Sequence, residues 1–286
     1  MGQCACFQPD TSHEQKIELF TEKEAPHPNE TQPASTLKGE PYPHARDKRP
    51  LVVLEGGVKY EGEWLGDVRD GYGVLERPDG GKYEGEFRNN RANGQGKFTH
   101  NNGDIYEGAW KDDRAHGKGT FTHADGSSYE GDWVEDMQEG YGIEKWADGS
   151  TFKGYYKGSK KHGEGVFTWA EGSTYEGHFM DNDIHGQGTY KWADGRCYEG
   201  QWARNHMHGR GLMHWPDGRS YEGQYHEDKK HGFGKFSWAD GRCYQGEWKD
   251  GKQHGKGTYT NAKGVSRKGE WADGKRLEFA NDDADN

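Results

Sequence analysis

Aliphatic side chains are scarce in this chain. Hydrophobic residues make up 29% of 286, charged residues 30%, and the mean hydropathy is −1.30. A conventional aliphatic core is therefore not expected. Cysteine is also rare: Cys4, Cys6, Cys197 and Cys243 are too few and too scattered for a disulfide framework, so a reducing compartment is expected. No basic run interrupts a formal net charge of −11, which argues against a nucleic-acid partner. No segment approaches the roughly 20 apolar residues of a membrane helix, and no secretory apolar region follows Met1. The sequon Asn29-Glu30-Thr31 is accordingly read as accidental.

Glycine and aromatics are abundant instead, with 46 glycines and 13% Phe, Trp and Tyr, a combination typical of repetitive β structure and not of a disordered chain. Tyr-Glu-Gly or a near relative begins at Tyr60, Tyr83, Tyr106, Tyr129, Phe152, Tyr175, Tyr198, Tyr221 and Tyr244, always 23 residues apart. Arg267-Lys-Gly-Glu-Trp271 is a degenerate tenth copy.

With each tyrosine as position 0, glycine occupies positions 2, 11, 13 and 20 of all nine units, which accounts for 36 of the 46. Position 4 is aromatic (Trp64, Phe87, Trp110, Trp133, Tyr156, Phe179, Trp202, Tyr225, Trp248, Trp271), and position 15 usually is, with Glu144 the exception. Positions 0, 2 and 4 alternate with polar residues, as do 13, 15 and 17, so each unit reads as two strands. Asp-Gly near positions 19 and 20, as in Asp79-Gly80, is a tight-hairpin signal. If the strands of one unit pair antiparallel, position 4 is expected to face 13, position 2 to face 15 and position 0 to face 17. That register sets glycine opposite an aromatic twice per unit, with rings lying over bare backbone in place of a core.

Tyr-x-Gly-x-Trp, Gly-x-Gly and Asp-Gly in this order resemble the MORN (membrane occupation and recognition nexus) repeat over about residues 51 to 279. The resemblance implies an all-β fold, an elongated single-layer antiparallel meander of hairpin repeats, which agrees with the periodicity. Leu51 to Leu54 resembles the second strand of an incomplete unit and Arg267 to Phe279 the first strand of another, half-units that would cap the sheet. Nine to ten such units would extend on the order of 90 Å. The chain divides into a lipidation motif and proline-rich tether (1–50), a repeat array (51–279) and an acidic tail (280–286) with Asp282, Asp283 and Asp285.

The opening Met-Gly-Gln-Cys-Ala-Cys is suited to acylation. Removal of Met1 exposes Gly2 for myristate, and Cys4 and Cys6 can accept palmitate, although Cys6 stands where Ser or Thr is preferred. One myristoyl chain binds membranes only marginally, and residues 7 to 25 carry Lys16 and Lys23 against five carboxylates, so the second anchor is expected to be acylation of Cys4 or Cys6. The alternative is that Met-Gly and the nearby cysteines are coincidental.

Chemistry stands out less. His116, His162, His185, His208, His231 and His254 precede Gly-x-Gly, but equivalent atoms in successive units are expected ~10 Å apart, too far to share a zinc ion. A turn or packing role is the expectation, with no metal and no cofactor. Glutamates at positions 1 and 3 recur in nearly every unit and read as a solvated face, not a catalytic pair. No nucleophile, acid or base departs from the period, so no enzymatic activity is expected.

Position 17 does depart from it. Trp146, Trp169, Trp192, Trp215 and Trp238 form a consecutive series that is a candidate partner-binding face, with packing over neighbouring tyrosines as the alternative. The leading expectation is a non-enzymatic, membrane-tethered scaffold at the cytoplasmic face of a membrane, the plasma membrane foremost. It would present a β-strip to protein partners or to a second copy in a homodimer. Resemblance to MORN proteins adds a link to the cytoskeleton. Alternatives from other classes are direct phospholipid-headgroup binding by the repeats, an axonemal or cilium assembly component in the cytosol, or a regulatory subunit of a lipid-modifying enzyme.

Overall fold

The computed structural model describes residues 45–279. The acylation candidates Gly2, Cys4 and Cys6, nearly all of the tether and the acidic tail lie outside the described residues. Those described fall into two compact units that divide between Ala147 and Asp148.

In each unit, seven-residue strands such as Lys82–Arg88 alternate with nine-residue strands such as Arg91–Thr99. Each strand pairs antiparallel with the next along the chain, from Asp47–Val53 to Met137–Lys145 in the first unit and from Thr151–Lys157 to Lys275–Phe279 in the second. Among the described residues the fold is an all-β meander of hairpin repeats, with a 3-10 turn at Glu55–Gly57 between the first two strands. The last repeat carries both of its strands: Ser266–Ala272 turns back into Lys275–Phe279, so it is a short hairpin and not the single strand its sequence suggests.

The register differs from the expected one. Tyr83 pairs with Phe98 and Gly85 with Gly96, so position 0 faces 15 and position 2 faces 13. Past Gly85 the register slips, and Phe87 pairs with Ala92. A β-bulge in the nine-residue strand, opposite position 3, thus re-aims the end of the strand pair. Aromatic faces aromatic, glycine faces glycine, and glycine meets an aromatic between consecutive repeats, as Gly94 with Trp110.

Rings do lie over bare backbone, but within one strand pair and diagonally. The Tyr83 ring covers Gly85 and Gly96, and a Cβ on either glycine would collide with it. Tyr60, Tyr83, Tyr106, Tyr175, Tyr198, Tyr221 and Tyr244 are fully buried by this arrangement. Each hydroxyl turns back to a carbonyl at the bulge: Tyr83 donates to Glu86 O at 3.0 Å and Tyr198 to Gln201 O at 2.9 Å.

Edge-to-face contacts run through each unit. Tyr83 lies 5.0 Å from Phe87 of its own repeat and 5.2 Å from Trp110 of the next, and Tyr221 holds Tyr225 and Trp248 in the same way. Such pairs are worth about 0.5–1.5 kcal/mol each beyond burial. Tryptophans at position 4 add a hydrogen bond to the preceding repeat: Trp110 Nε1 donates to Gly96 O, Trp202 to Gly188 O and Trp248 to Gly234 O. Trp64 Nε1, buried in the first complete repeat, has no such partner; the strand before it has Pro50 at the place of the glycine, where its register shifts.

The tight turn falls at positions 6 and 7 and not at Asp-Gly. Asn89 and Asn90 have φ of 50° and 68°, the two positive values of a type I′ hairpin, and Asp112-Asp113, Asp181-Asn182 and Arg204-Asn205 repeat it. Asp79-Gly80 belongs instead to the five-residue connection Arg77 to Gly81, where Asp79 Oδ1 accepts the Gly81 N–H at 2.9 Å and Gly80 supplies a φ of 94°.

Asx side chains at position 7 clamp neighbouring repeats. Asn205 Oδ1 accepts the Ile184 N–H at 2.7 Å while its own N–H donates to Ile184 O at 3.0 Å. Asn90 holds Arg69, Asp113 holds Ala92, Asp136 holds Ala115, Asn182 holds Lys161 and Asp228 holds Met207 by the same pair of bonds.

The glutamates at position 3 are not merely solvated, contrary to the sequence reading. Glu63 Oε2 accepts the Tyr72 N–H at 2.6 Å and Glu86 Oε1 accepts the Gln95 N–H at 2.9 Å, with each side chain filling the space over the glycine at position 11. Gln201 and Gln224 do the same for Arg210 and Phe233. The bulge leaves these N–H groups outside the ladder, and a carboxylate or amide side chain satisfies them.

Candidate interaction face

Trp146 follows the strand Met137–Lys145 in the first unit, where it is half-buried. In the second unit Trp169, Trp192, Trp215 and Trp238 each follow a nine-residue strand and are likewise half-buried. Their main chains are fixed by the five-residue connections: Trp192 N–H donates to Arg196 O and Trp192 O accepts from Gly195 N–H.

The rings of the second unit lie against neighbouring tyrosines and phenylalanines. They stack on the aromatics at position 15, with centroids 4.5 Å apart for Phe167 and Trp169, 5.0 Å for Trp169 and Tyr190, 4.5 Å for Tyr190 and Trp192, and 4.7 Å for Phe236 and Trp238. Met213 replaces the ring at Trp215, which instead approaches Phe236 at 5.7 Å.

Three of the tryptophans carry an arginine. Arg196, Arg219 and Arg242 lie over Trp192, Trp215 and Trp238 at 4.9, 5.5 and 5.5 Å. Each Nε also bonds a carboxylate of its own connection, Asp194, Asp217 or Asp240, at 2.7 to 2.8 Å. Arg219 holds the Asp217 carboxyl below its ordinary range. The hydrogen bonds that Arg242 donates, to Tyr259 first and then to Asp240, raise its guanidinium above the ordinary value. The surface is therefore a ladder of indole–guanidinium pairs, not a bare apolar groove. Sequence reading missed the arginines, although Trp-x-Asp-Gly-Arg occurs three times in succession.

The profile of the MORN repeat matches residues 60–82, 83–105, 106–128, 129–151, 152–174, 175–195, 198–218, 221–241 and 244–266. The chain belongs to the MORN repeat family. A search of curated proteins gives no match.

Solved structures similar to this MORN array include the TCP domain of Drosophila melanogaster SAS-4 in complex with a proline-rich motif of Ana2. It is 14% identical, with a TM-score of 0.34 over 68% of this chain and 99% of that one. The G-box domain of the microcephaly protein CPAP gives 13%, 0.39, 71% and 100%, and the TCP10 domain of Danio rerio CPAP gives 12%, 0.33, 80% and 98%. At these TM-scores the likeness carries no argument about this chain.

No group of three or more His, Cys, Asp or Glu among the described residues is placed to hold an ion. Nδ1 of His162, His185 and His254 is buried without a hydrogen-bond partner, and His208, His226 and His231 stack with centroids 5.3 and 5.7 Å apart. Cys197 and Cys243 are free thiols at corresponding strand starts, two repeats apart.

Proposed function

We propose that this MORN protein is a non-enzymatic scaffold held to the cytoplasmic face of the plasma membrane by acyl chains on Gly2 and on Cys4 or Cys6, with its repeats docking a protein partner of the cytoskeleton. The observation that carries the docking part is the ladder of half-exposed Trp192, Trp215 and Trp238, each topped by an arginine. Indole and guanidinium are the groups most enriched where binding energy concentrates at protein interfaces. A segment with apolar side chains to seat on the indoles and carboxylates to meet the guanidinium edges fits such a surface. The tether rests on the N-terminal residues alone, because a single myristoyl chain needs a second acyl chain for stable anchoring.

The test is intact mass and membrane fractionation of the full chain expressed in a eukaryotic cell, against Gly2→Ala and Cys4→Ser/Cys6→Ser. The parent is expected to carry acyl mass and to pellet with membranes, and both variants to turn soluble. If all three are unmodified and soluble, the tether is wrong and a cytosolic assembly role takes its place. Liposome binding by the unacylated triple variant would instead favour direct headgroup recognition. For the docking part, proximity labelling should lose its cytoskeletal products in Trp192→Ala/Trp215→Ala while the far-ultraviolet circular dichroism is kept. Unchanged labelling would remove the strip from the account.

A further inference from the structure

Histidine recurs at position 10 of the repeats, but at position 5 it occurs once, as His226. The strand Ser220–His226 runs between His206–His214 and Lys229–Ser237, so His226 stands between His208 and His231, equivalent residues of successive repeats. Met207, Tyr225 and Lys230 turn to the aromatic face, and the residue after each therefore turns to the other. There the three imidazoles form a row, the His226 centroid lying 5.3 Å from that of His208 and 5.7 Å from that of His231.

Their ring nitrogens are uncommitted. Among the described residues no hydrogen bond or ion pair engages any of the three, whereas the neighbouring His206 pairs its Nδ1 with Asp228 at 2.7 Å. His226 and His231 are exposed and His208 is half-buried. The turn beside the row carries Lys229, which pairs with His226 across it, and Asp228, which also takes the Met207 N–H. Imidazole is therefore the ligand that the row offers.

We propose that His226, together with His208 or His231, binds a divalent ion of the late first-row transition metals, zinc foremost. Two imidazoles on one tetrahedral zinc ion, with Zn–N bonds of about 2.0–2.1 Å, hold their ring centroids about 5 Å apart. Both spacings in the row are close to that value, and side-chain rotation at the surface covers the remainder. Two protein ligands with water completing the shell agree with the lack of any three-ligand cluster among the described residues. Nitrogen ligands favour zinc, nickel or copper over magnesium and calcium, which take oxygen. The ion ties Ser220–His226 to the strand on one side through side chains, a link closed to the other repeats because none has histidine at position 5.

The test labels the wild-type full chain with diethylpyrocarbonate, with and without zinc chloride, and reads carbethoxylation at each histidine by tandem mass spectrometry. At ten times its half-saturating concentration, zinc is expected to slow labelling of His226 and of one neighbour about tenfold, with the same half-saturation at both. His116, flanked at position 5 by Lys111 and Val134, should be unaffected, and magnesium chloride should protect none of them. In His226→Gln, an exposed substitution, protection of His208 and His231 should vanish while the far-ultraviolet circular dichroism is kept. The proposal is overturned by no protection at His226, by equal protection at His116, by magnesium acting as well as zinc, or by protection of His208 and His231 that survives His226→Gln.

Discussion

Tyr83 occupies the space that a Cβ on Gly96 would need. The two residues lie on paired strands, and the ring is wholly buried only because its neighbour has no side chain. Alanine in place of a strand glycine is ordinarily neutral or helpful. Here Gly96→Ala should destabilise by about 1–3 kcal/mol through overpacking. Chemical denaturation would check it, and Tyr83→Ala in the same chain should make the alanine harmless, a coupling that a double-mutant cycle resolves.

The hydroxyl and the ring of the position-0 tyrosine contribute separately. Tyr175→Phe deletes only the bond to His178 O, and the chain itself uses Phe152 at the equivalent place. A loss of about 1 kcal/mol is expected, against about 3–5 kcal/mol for Tyr175→Ala, which also opens a cavity. Thermal unfolding of the two variants should separate in that order, and equal losses would put the weight on the hydroxyl.

Asp136 clamps Ala115, but burial outweighs the bond from the Ala115 N–H and raises its carboxyl to about 6. A folded value above the unfolded one means the native state holds the extra proton between about pH 4 and 6, so stability falls as pH rises through that window. Asn90, Asn182 and Asn205 do the same task uncharged. Asp136→Asn should therefore stabilise the protein at pH 7 by about 1 kcal/mol, after solvent screening of a half-exposed group, and should flatten the fall. Melting temperatures at pH 4.5 and 7 would decide it; a variant less stable at both would show that the ionised form is the better clamp.

Asn205→Ala removes the acceptor for the Ile184 N–H without touching the aromatic layer. Stability should drop by about 1 kcal/mol. Amide exchange at Ile184 should quicken more than at Tyr190, farther along the same strand. Uniform quickening would mean that the clamp acts on the whole unit.

The 23-residue period, the alternation of Tyr60, Gly62 and Trp64, and the grip of rings on glycine were all legible in the sequence, because each follows from side-chain size repeated at fixed spacing. The register was not. It depends on a bulge opposite Glu63 that adds two residues to the longer strand, and a bulge leaves no mark when every repeat contains it. The tight turn was misplaced because Asp79-Gly80 carries the familiar hairpin pair, while Asn89-Asn90 reaches positive φ without glycine. At the candidate face the indoles were legible as an interrupted pattern. Their arginines were not, because Arg196 stands at the far end of the connection from Trp192 and only the folded loop closes the pair.

The clamps give the second unit a weak end. Asn182, Asn205 and Asp228 each hold the repeat before them with a side chain as well as a main chain, whereas Gly251 and Gly274 hold Lys230 and Gln253 by the main chain alone. Under mechanical load the sheet would peel like a zipper from its last hairpin, and rupture should slow when it reaches Asp228.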